Sequence, residues 1–294
     1  MKLRNKSDGL LNFSDYKRRK HRITYYVFIF ILVLFALTAI IPFLWLFITS
    51  FKTTPEIESV HYHLFPEVFK LSKMWEVWTK LGFGKYYINT LIVVIGAIIC
   101  AVVFNALLAY AIAILKPAGY KIINGLVLLG YMIPSALAIF PLLLQIRNFP
   151  LGNLINTYFP LWFAFGANAY YYLLFKDYFE KMPSSLIEAA RMDGLSDLKI
   201  FFRVVFPLSR PIMGVVAIFA MTAAYSDFLL PYTVLQDTKM QTVMVAIYNL
   251  GTTTTVDSSE FLMLLVISII PQLILFIIFQ KQIMNQSVNS GMKD

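Results

Sequence analysis

Six long apolar stretches decide what this chain can fold into. The first runs without a charged residue from Ile23 to Phe51, and five more follow it. A helix of about 20 mostly apolar residues crosses the hydrocarbon core of a bilayer, where its backbone hydrogen bonds must be satisfied internally. The sequence therefore predicts an all-α, polytopic membrane protein with six transmembrane helices. The predicted spans are 24–49, 87–115, 122–146, 158–176, 211–232 and 260–280.

The composition supports this class. Hydrophobic residues make up 59% of the 294-residue chain and charged residues 14%, with a mean hydropathy of +0.70. Soluble domains carry about 25% charged residues, so a water-soluble globular protein is excluded. The single cysteine, Cys100, lies inside an apolar run and is expected to be a buried, inert thiol.

The basic residues are distributed unevenly and predict the orientation. Eighteen of the 25 Lys and Arg residues fall in the N-terminal tail, the 116–121 turn, the 176–210 loop and the C-terminal tail. Short cytoplasmic segments carry such an excess, so we expect a multi-pass membrane protein with both termini cytoplasmic. The net charge of +9 then reflects topology and contact with the lipid bilayer, and no nucleic-acid partner is expected.

This orientation divides the chain into three parts. They are a cytoplasmic basic tail at 1–23, a six-helix transmembrane domain at 24–280 that includes a loop at 177–210, and a cytoplasmic tail at 281–294.

Catalytic and ligand-binding signatures are missing from the sequence. It contains no GxxxxGK[ST] phosphate loop, and its only histidines are His21, His61 and His63. A solvated pair is favoured over a metal site for His61 and His63. We therefore predict no enzyme activity, no catalytic residue and no cofactor or metal site in this chain.

The first outer loop, about 50–86, contains apolar residues at roughly helical spacing. They are Phe69, Met74, Trp75, Trp78 and Leu81. The pattern predicts an amphipathic helix along the outer membrane interface. A docking surface for an external partner is the alternative.

The loop at 177–210 is polar within an otherwise apolar chain. Pro183 can open a helix, and Ser185 and Glu188 have the spacing of a capping box. Gly194 stands where a helix end needs a left-handed residue. A second helix is expected to start at Ser196 or Asp197 and to end before Pro207. Its predicted apolar face consists of Leu198, Phe201, Phe202 and Val205. Two short helices at an angle, too polar for lipid, are suited to a groove in another protein.

Ionisable residues within the predicted spans are scarce, which argues against a secondary transporter or an ion channel. Asp227, in "AAYSDFLLP" near the outer end of the fifth span, is the main exception. Either a solvated interfacial carboxylate or a residue of a translocation pathway fits this position.

The polar loop resembles the EAA loop of ABC importer permeases. Glu188-Ala189-Ala190, Gly194 and Val204-x-Phe206-Pro207 have the spacing of that motif. The resemblance extends along the chain to the carbohydrate-type permeases, the second membrane subunit of maltose-type importers. It rests on "PFLWLFITSFKT", "YYINTLIV", "LLAYAIAILKPAGY", "MPSSLIEAARMDG" and "PQLILFIIFQKQI".

This resemblance implies a type I ABC importer fold with a cytoplasmic coupling helix, in a bacterial cell membrane. The implied partners are a second homologous permease subunit, two ATPase subunits that bind ATP and Mg²⁺, an extracytoplasmic solute-binding protein and a carbohydrate substrate. The implied ATPase-coupling residues are Glu188, Ala189, Ala190, Asp193, Gly194 and Pro207. A permease of the same family for a non-sugar solute such as glycerol phosphate is the alternative.

The fifth span is where the chain departs from the family pattern. The family usually has Trp-Asn-Glu/Asp-Phe there, whereas this chain has Tyr225-Ser226-Asp227-Phe228. Tyr225, Asp227 and Phe228 are the candidate pathway residues.

Overall fold

The computed structural model describes residues 19–61, 63–150, 152–252 and 256–291, with side chains from 23 to 280 apart from those at 135 and 136. Most of the predicted basic tail and the last three residues lie outside these ranges. The described part of the chain is helical and contains no strand. Its α-helices are α1 Arg19–Ser50, α2 Thr54–Glu58, α3 Ser72–Lys80, α4 Gly84–Tyr110, α5 Tyr120–Met132, α6 Ser135–Arg147, α7 Phe159–Gly166, α8 Ala169–Glu180, α9 Ser184–Met192, α10 Asp197–Ile200, α11 Phe206–Leu208, α12 Arg210–Ser226, α13 Leu229–Val234, α14 Val243–Thr252 and α15 Ser258–Gly291. Two π-helical turns, Ala111–Leu115 and Phe201–Val205, extend α4 and α10.

Three helical segments are long and apolar enough to cross a membrane, namely Ile23–Ser50, Gly84–Leu115 and Ser258–Gln280. Two bent pairs bring the number to as many as five among the described residues. They are Tyr120–Met132 with Leu137–Arg147 and Asp197–Leu208 with Arg210–Ser226. The predicted count of six is therefore not confirmed, because several apolar runs form broken helices.

The predicted fourth span, 158–176, is broken into α7 and α8 at Ala167 and Asn168. The break is hydrogen-bonded from within the protein. Asn105 donates from Nδ2 to the carbonyl oxygen of Phe165 at 2.9 Å, and the Asn168 side chain accepts from the Tyr171 N–H at 3.1 Å. Non-helical backbone is tolerated at membrane depth only when protein groups or water satisfy it in this way.

Helix α4 contacts α7, α8 and α12 and forms the centre of the larger helical unit. One face of α4 and of the π-helical turn that follows it presents a small residue or asparagine at every fourth position. These are Ala97, Ala101, Asn105, Ala109 and Ala113, each no more than 6% exposed. Small side chains at this spacing let neighbouring helices approach closely, which drives helix association where no water is available to expel.

The Trp162 ring of α7 packs directly against α4 at Gly96. A Cβ atom added at Gly96 would lie 2.2 Å from Trp162 Nε1 and Cε2. Only glycine fits at position 96 without movement of the indole ring.

A large apolar core joins α4, α8, α9, α12 and the π-helical turn after α10. Its largest fully buried side chains include Tyr172, Phe175, Phe179 and Phe201. The Tyr110 and Phe201 rings lie 5.2 Å apart, so the end of α4 packs directly on the polar loop region.

The chain divides into two compact units. The smaller unit comprises residues up to Leu71 and Ser258–Val266. Within it, Lys52 Nζ donates to the His63 carbonyl, and Ser259 Oγ donates to the Lys52 carbonyl at 2.8 Å. At the start of α2, hydrogen bonds from the backbone N–H groups of Thr53 and Glu67 lower the pKa of the Glu56 carboxyl.

The larger unit comprises Ser72–Asp257 and the rest of the chain from Ile267. Its first helix, α3, lies in the segment predicted to be amphipathic. Val77 is buried there and Trp75 is 69% exposed. The helix itself is confirmed, and its position at the outer interface stays a prediction.

We predict that Gly96→Ala lowers the melting temperature of the purified protein in detergent. The added methyl group displaces the Trp162 ring, and overpacking of this kind costs about 1–3 kcal/mol. Gly214→Ala is the matched control because Gly214 is also helical and nothing lies within 4 Å of its added Cβ. Equal melting temperatures for the two variants would contradict the proposed contact.

Candidate functional site

The polar loop between α8 and α12 forms two helical segments, as predicted. The first, α9, follows Pro183, which occupies the N-cap with φ −59° and ψ 126°. The predicted capping box at Ser185 is wrong. The helix begins one residue earlier, at Ser184, and its N-cap has no side-chain hydrogen bond, because proline presets the backbone for helix entry but offers no capping oxygen.

The end of α9 has the conformation that the sequence predicts. Gly194 has φ +75°, and its N–H donates to the Arg191 carbonyl at 3.0 Å. The Leu195 N–H donates to the Ala190 carbonyl at 3.1 Å. These two bonds form a Schellman motif. Nothing lies within 4 Å of a Cβ built at Gly194, so backbone conformation and not space requires glycine here.

The six predicted coupling residues differ in exposure. Glu188, Ala189, Asp193, Gly194 and Pro207 are exposed. Ala190, in contrast, is buried and belongs to the main core together with Ile187. Helix α9 is therefore held to the unit by one face and presents the other outward.

The second segment begins at Asp197 after Ser196, as predicted, but its buried face differs from the prediction. Leu198 is 65% and Phe202 is 52% exposed, whereas Ile200, Phe201 and Val205 are fully buried. The π-helical turn at Phe201–Val205 changes the angular spacing of the side chains, and a prediction based on α-helical spacing misses this change.

This segment also continues further than predicted. It runs through Pro207 to Leu208, because the Ser209 N–H beyond the proline still donates to the Val205 carbonyl at 3.0 Å. The axis then turns by 79° into α12.

Two tyrosines fix the segment to its neighbours. Tyr110 of α4 donates to the Asp197 carbonyl at 3.1 Å, and Tyr178 of α8 donates to the Leu208 carbonyl at 3.0 Å. An exposed ion pair at 3.4 Å between Arg191 and Asp197 links α9 to α10. Surface pairs of this kind contribute about 1 kcal/mol or less, so the tyrosine bonds and the core position the segment.

The three candidate pathway residues lie at the break between α12 and α13 and have different surroundings. Tyr225 is buried and donates its hydroxyl to the Ser268 carbonyl at 2.8 Å. The Asp227 carboxylate accepts hydrogen bonds from the backbone N–H groups of Leu229 and Leu230, which begin α13. Tyr225 and Asp227 therefore both have structural contacts, whereas Phe228 belongs to an aromatic cluster.

The position of Pro271 explains a hydrogen bond between α4 and α15. A proline has no N–H to donate to the carbonyl four residues earlier, here that of Ile267. Tyr87 of α4 donates its hydroxyl to this carbonyl at 2.8 Å. The tyrosine thus replaces the hydrogen bond that Pro271 removes.

Comparison with known proteins identifies the family of a chain with this polar loop, these broken helices and the central α4. Residues 105–289 match the family described as binding-protein-dependent transport system inner membrane component. The chain belongs to this family. It is accordingly a membrane component of a transport system, with the type I ABC importer fold.

Two similar proteins are sugar permeases by name. The chain is 33% identical over 263 residues to the diacetylchitobiose uptake system permease protein NgcG of Streptomyces coelicolor, covering 89% of this chain and 86% of that one. It is 29% identical to the melibiose/raffinose/stachyose import permease protein MelC of Bacillus subtilis, covering 82% of this chain and 87% of that one.

A solved structure has the same fold. A chain of a bacterial ABC transporter involved in the import of the acidic polysaccharide alginate matches with a TM-score of 0.78 and 24% identity. The match covers 90% of this chain and 98% of that chain.

Sequence reasoning missed several buried polar residues of α4. Asn89, Thr90 and Asn105 each hydrogen-bond to backbone of another segment. An asparagine at the centre of a four-residue repeat of alanines was the signal available for Asn105. Tyr232 and Tyr248, which flank Phe228 in space, had no local signal.

We predict that Tyr87→Phe destabilises the protein by about 1 kcal/mol, because the Ile267 carbonyl loses its donor. In a Pro271→Ala background the loss should be smaller, since the N–H of the new alanine can bond to the same carbonyl. Thermal unfolding of the two single variants and the double variant measures this coupling. Tyr178→Phe is the control, because its acceptor, the Leu208 carbonyl, does not depend on residue 271. An equal effect of Tyr87→Phe in both backgrounds would refute the explanation.

Proposed function

We propose that this chain is a permease subunit of an ABC importer that carries a sugar or oligosaccharide across the bacterial cell membrane. The carbohydrate permeases among its relatives support the substrate class. The basic loops support an orientation with both termini in the cytoplasm. In this proposal the chain binds no cofactor itself and makes or breaks no covalent bond.

The observation that carries the proposal is the form of α9. It is a short helix with an exposed face, ended by a left-handed glycine and fixed through Ile187 and Ala190 to the main core. A helix fixed in this way moves as a rigid body with the core and does not bend independently of it. We propose that its exposed face, with Glu188 and Ala189, docks into a cleft of an ATPase subunit.

The remaining partners follow from this mechanism. Two ATPase subunits bind and hydrolyse ATP with Mg²⁺, a second homologous permease completes the pathway, and an extracytoplasmic binding protein delivers the solute. ATP binding moves α9, and the movement switches the helices between inward-open and outward-open states. Such a mechanism is an energetic coupling between two sites on different chains.

Gly194→Val tests the coupling role. Valine at φ +75° is strained, so the Schellman motif should open and α9 should lose its fixed direction. We expect membrane insertion to persist while uptake of raffinose or diacetylchitobiose by vesicles containing the intact importer falls at least about tenfold. Gly194→Asn should retain most uptake, because asparagine tolerates the left-handed conformation.

Gly119→Val is the matched control. Gly119 also has a left-handed φ, +84°, and open space around its Cβ, but it lies at the start of α5. We expect Gly119→Val to cause a similar backbone strain without a specific loss of the coupling between ATP hydrolysis and uptake. Full solute-stimulated ATPase activity and uptake in Gly194→Val would refute the proposed role of α9.

A further inference from the structure

A cavity of about 420 Å³ lies between α6, α13 and α14 in the larger unit. This volume falls within the range of small-molecule sites, about 300–1,000 Å³. The lining residues are Leu143, Tyr232, Thr233, Leu235, Gln236, Gln241 and Asn249.

The lining of the cavity combines polar and apolar surface and is uncharged. Three of the lining residues carry a side-chain amide, two carry a hydroxyl group and two are leucines, and none of these described residues carries a charge. Amides and hydroxyls both donate and accept hydrogen bonds. They therefore match a ligand whose own groups do both, as the hydroxyl groups of a sugar do. A carboxylate or phosphate would find no cation among these residues.

An aromatic cluster adjoins the cavity through Tyr232. The Tyr232 ring lies 5.1 Å from that of Phe228 and 5.2 Å from that of Tyr248, and the Phe228 and Tyr248 rings are 5.0 Å apart. Tyr232 is 42% and Tyr248 is 46% exposed, so both rings are accessible. Aromatic rings offer a rigid apolar face with a polar tip. The C–H groups on one face of a pyranose ring pack against such a surface.

The loop that carries Gln241 is held in place by α4. Asn89 donates to the carbonyl groups of Lys239 at 2.8 Å and Gln241 at 3.0 Å, and Thr90 Oγ1 accepts from the Val243 N–H at 2.9 Å.

The end of α13 is held by Asn156. Its N–H donates to the Val234 carbonyl at 2.9 Å, and its side-chain oxygen accepts from the Asp237 N–H at 2.8 Å. Polar groups fixed before a ligand arrives need little further ordering on binding. The cavity is therefore prearranged and not a gap in a loose loop.

We propose that this cavity and the aromatic cluster of Phe228, Tyr232 and Tyr248 form a binding site for a neutral oligosaccharide. One sugar ring packs on the exposed tyrosines while hydroxyl groups of the next bond to Gln236, Gln241 and Asn249. The proposal rests on the carbohydrate transport proposed above and adds a site and a charge preference.

Saturation-transfer NMR on the full chain in lipid nanodiscs tests the site. The probes are raffinose and diacetylchitobiose, which are neutral, and digalacturonate, which is acidic. We expect a neutral probe to bind and its dissociation constant to rise roughly tenfold in Tyr232→Ala and in Tyr248→Ala, since truncation removes an anchoring ring. Tyr232→Phe and Tyr248→Phe keep the ring and should bind within about twofold of the wild type.

Tyr131→Ala is the control for loss of an exposed tyrosine, because Tyr131 is 55% exposed and does not line the cavity. It should leave binding unchanged. The site is refuted if no neutral probe binds, if both truncations bind as the wild type does, or if digalacturonate binds more tightly than the neutral probes.

Uptake by vesicles containing the intact importer separates this proposal from the proposed function. If saccharide uptake occurs and is unaffected by Tyr232→Ala and Tyr248→Ala, the importer function stands and the site is wrong. If uptake is reduced by both variants but not by Tyr131→Ala, the site is supported. If none of the saccharides is taken up, both proposals fail.

Discussion

Each interruption of a helix in an apolar stretch frees backbone groups that must find a partner, and this requirement governs the structure. In hydrocarbon an unbonded carbonyl costs several kcal/mol, because no water can replace the missing donor. Asn105 donates a hydrogen bond to the carbonyl near the end of α7, and Tyr87 donates one to the carbonyl that Pro271 leaves without a donor in α15. The irregular helices are therefore fixed by specific side chains.

Most of these side chains lie on α4, which also carries the four-residue repeat of small residues. The two features depend on each other. Short residues such as Ala97 and Ala101 bring neighbouring helices close, and only then does the short Asn105 side chain reach the backbone of α7. A larger residue on this face would separate the helices and leave the broken segments without donors.

Features set by neighbouring residues could be predicted from the sequence, and features set by distant contacts could not. The left-handed turn at Gly194 depends on a few adjacent residues and was predicted correctly. The π-helical turn that exposes Phe202 was not predicted, because core packing overrides regular spacing there. The contact between the Tyr232 and Tyr248 rings depends on a loop whose backbone is hydrogen-bonded to α4. No pattern of neighbouring residues in the sequence indicates this contact.

The same helix α4 is bonded at one end to the polar loop and at the other to the loop beside the cavity. Tyr110 bonds the backbone at Asp197, whereas Asn89 bonds the backbone at Gln241. At 1.5 Å per residue, the helix between these two side chains spans roughly 30 Å, close to the thickness of the hydrocarbon core. One continuous helix therefore connects the proposed coupling segment to the proposed sugar site. A displacement of the proposed coupling segment must either break the Tyr110 bond or move α4 with it, and in the second case the loop that carries Gln241 moves too.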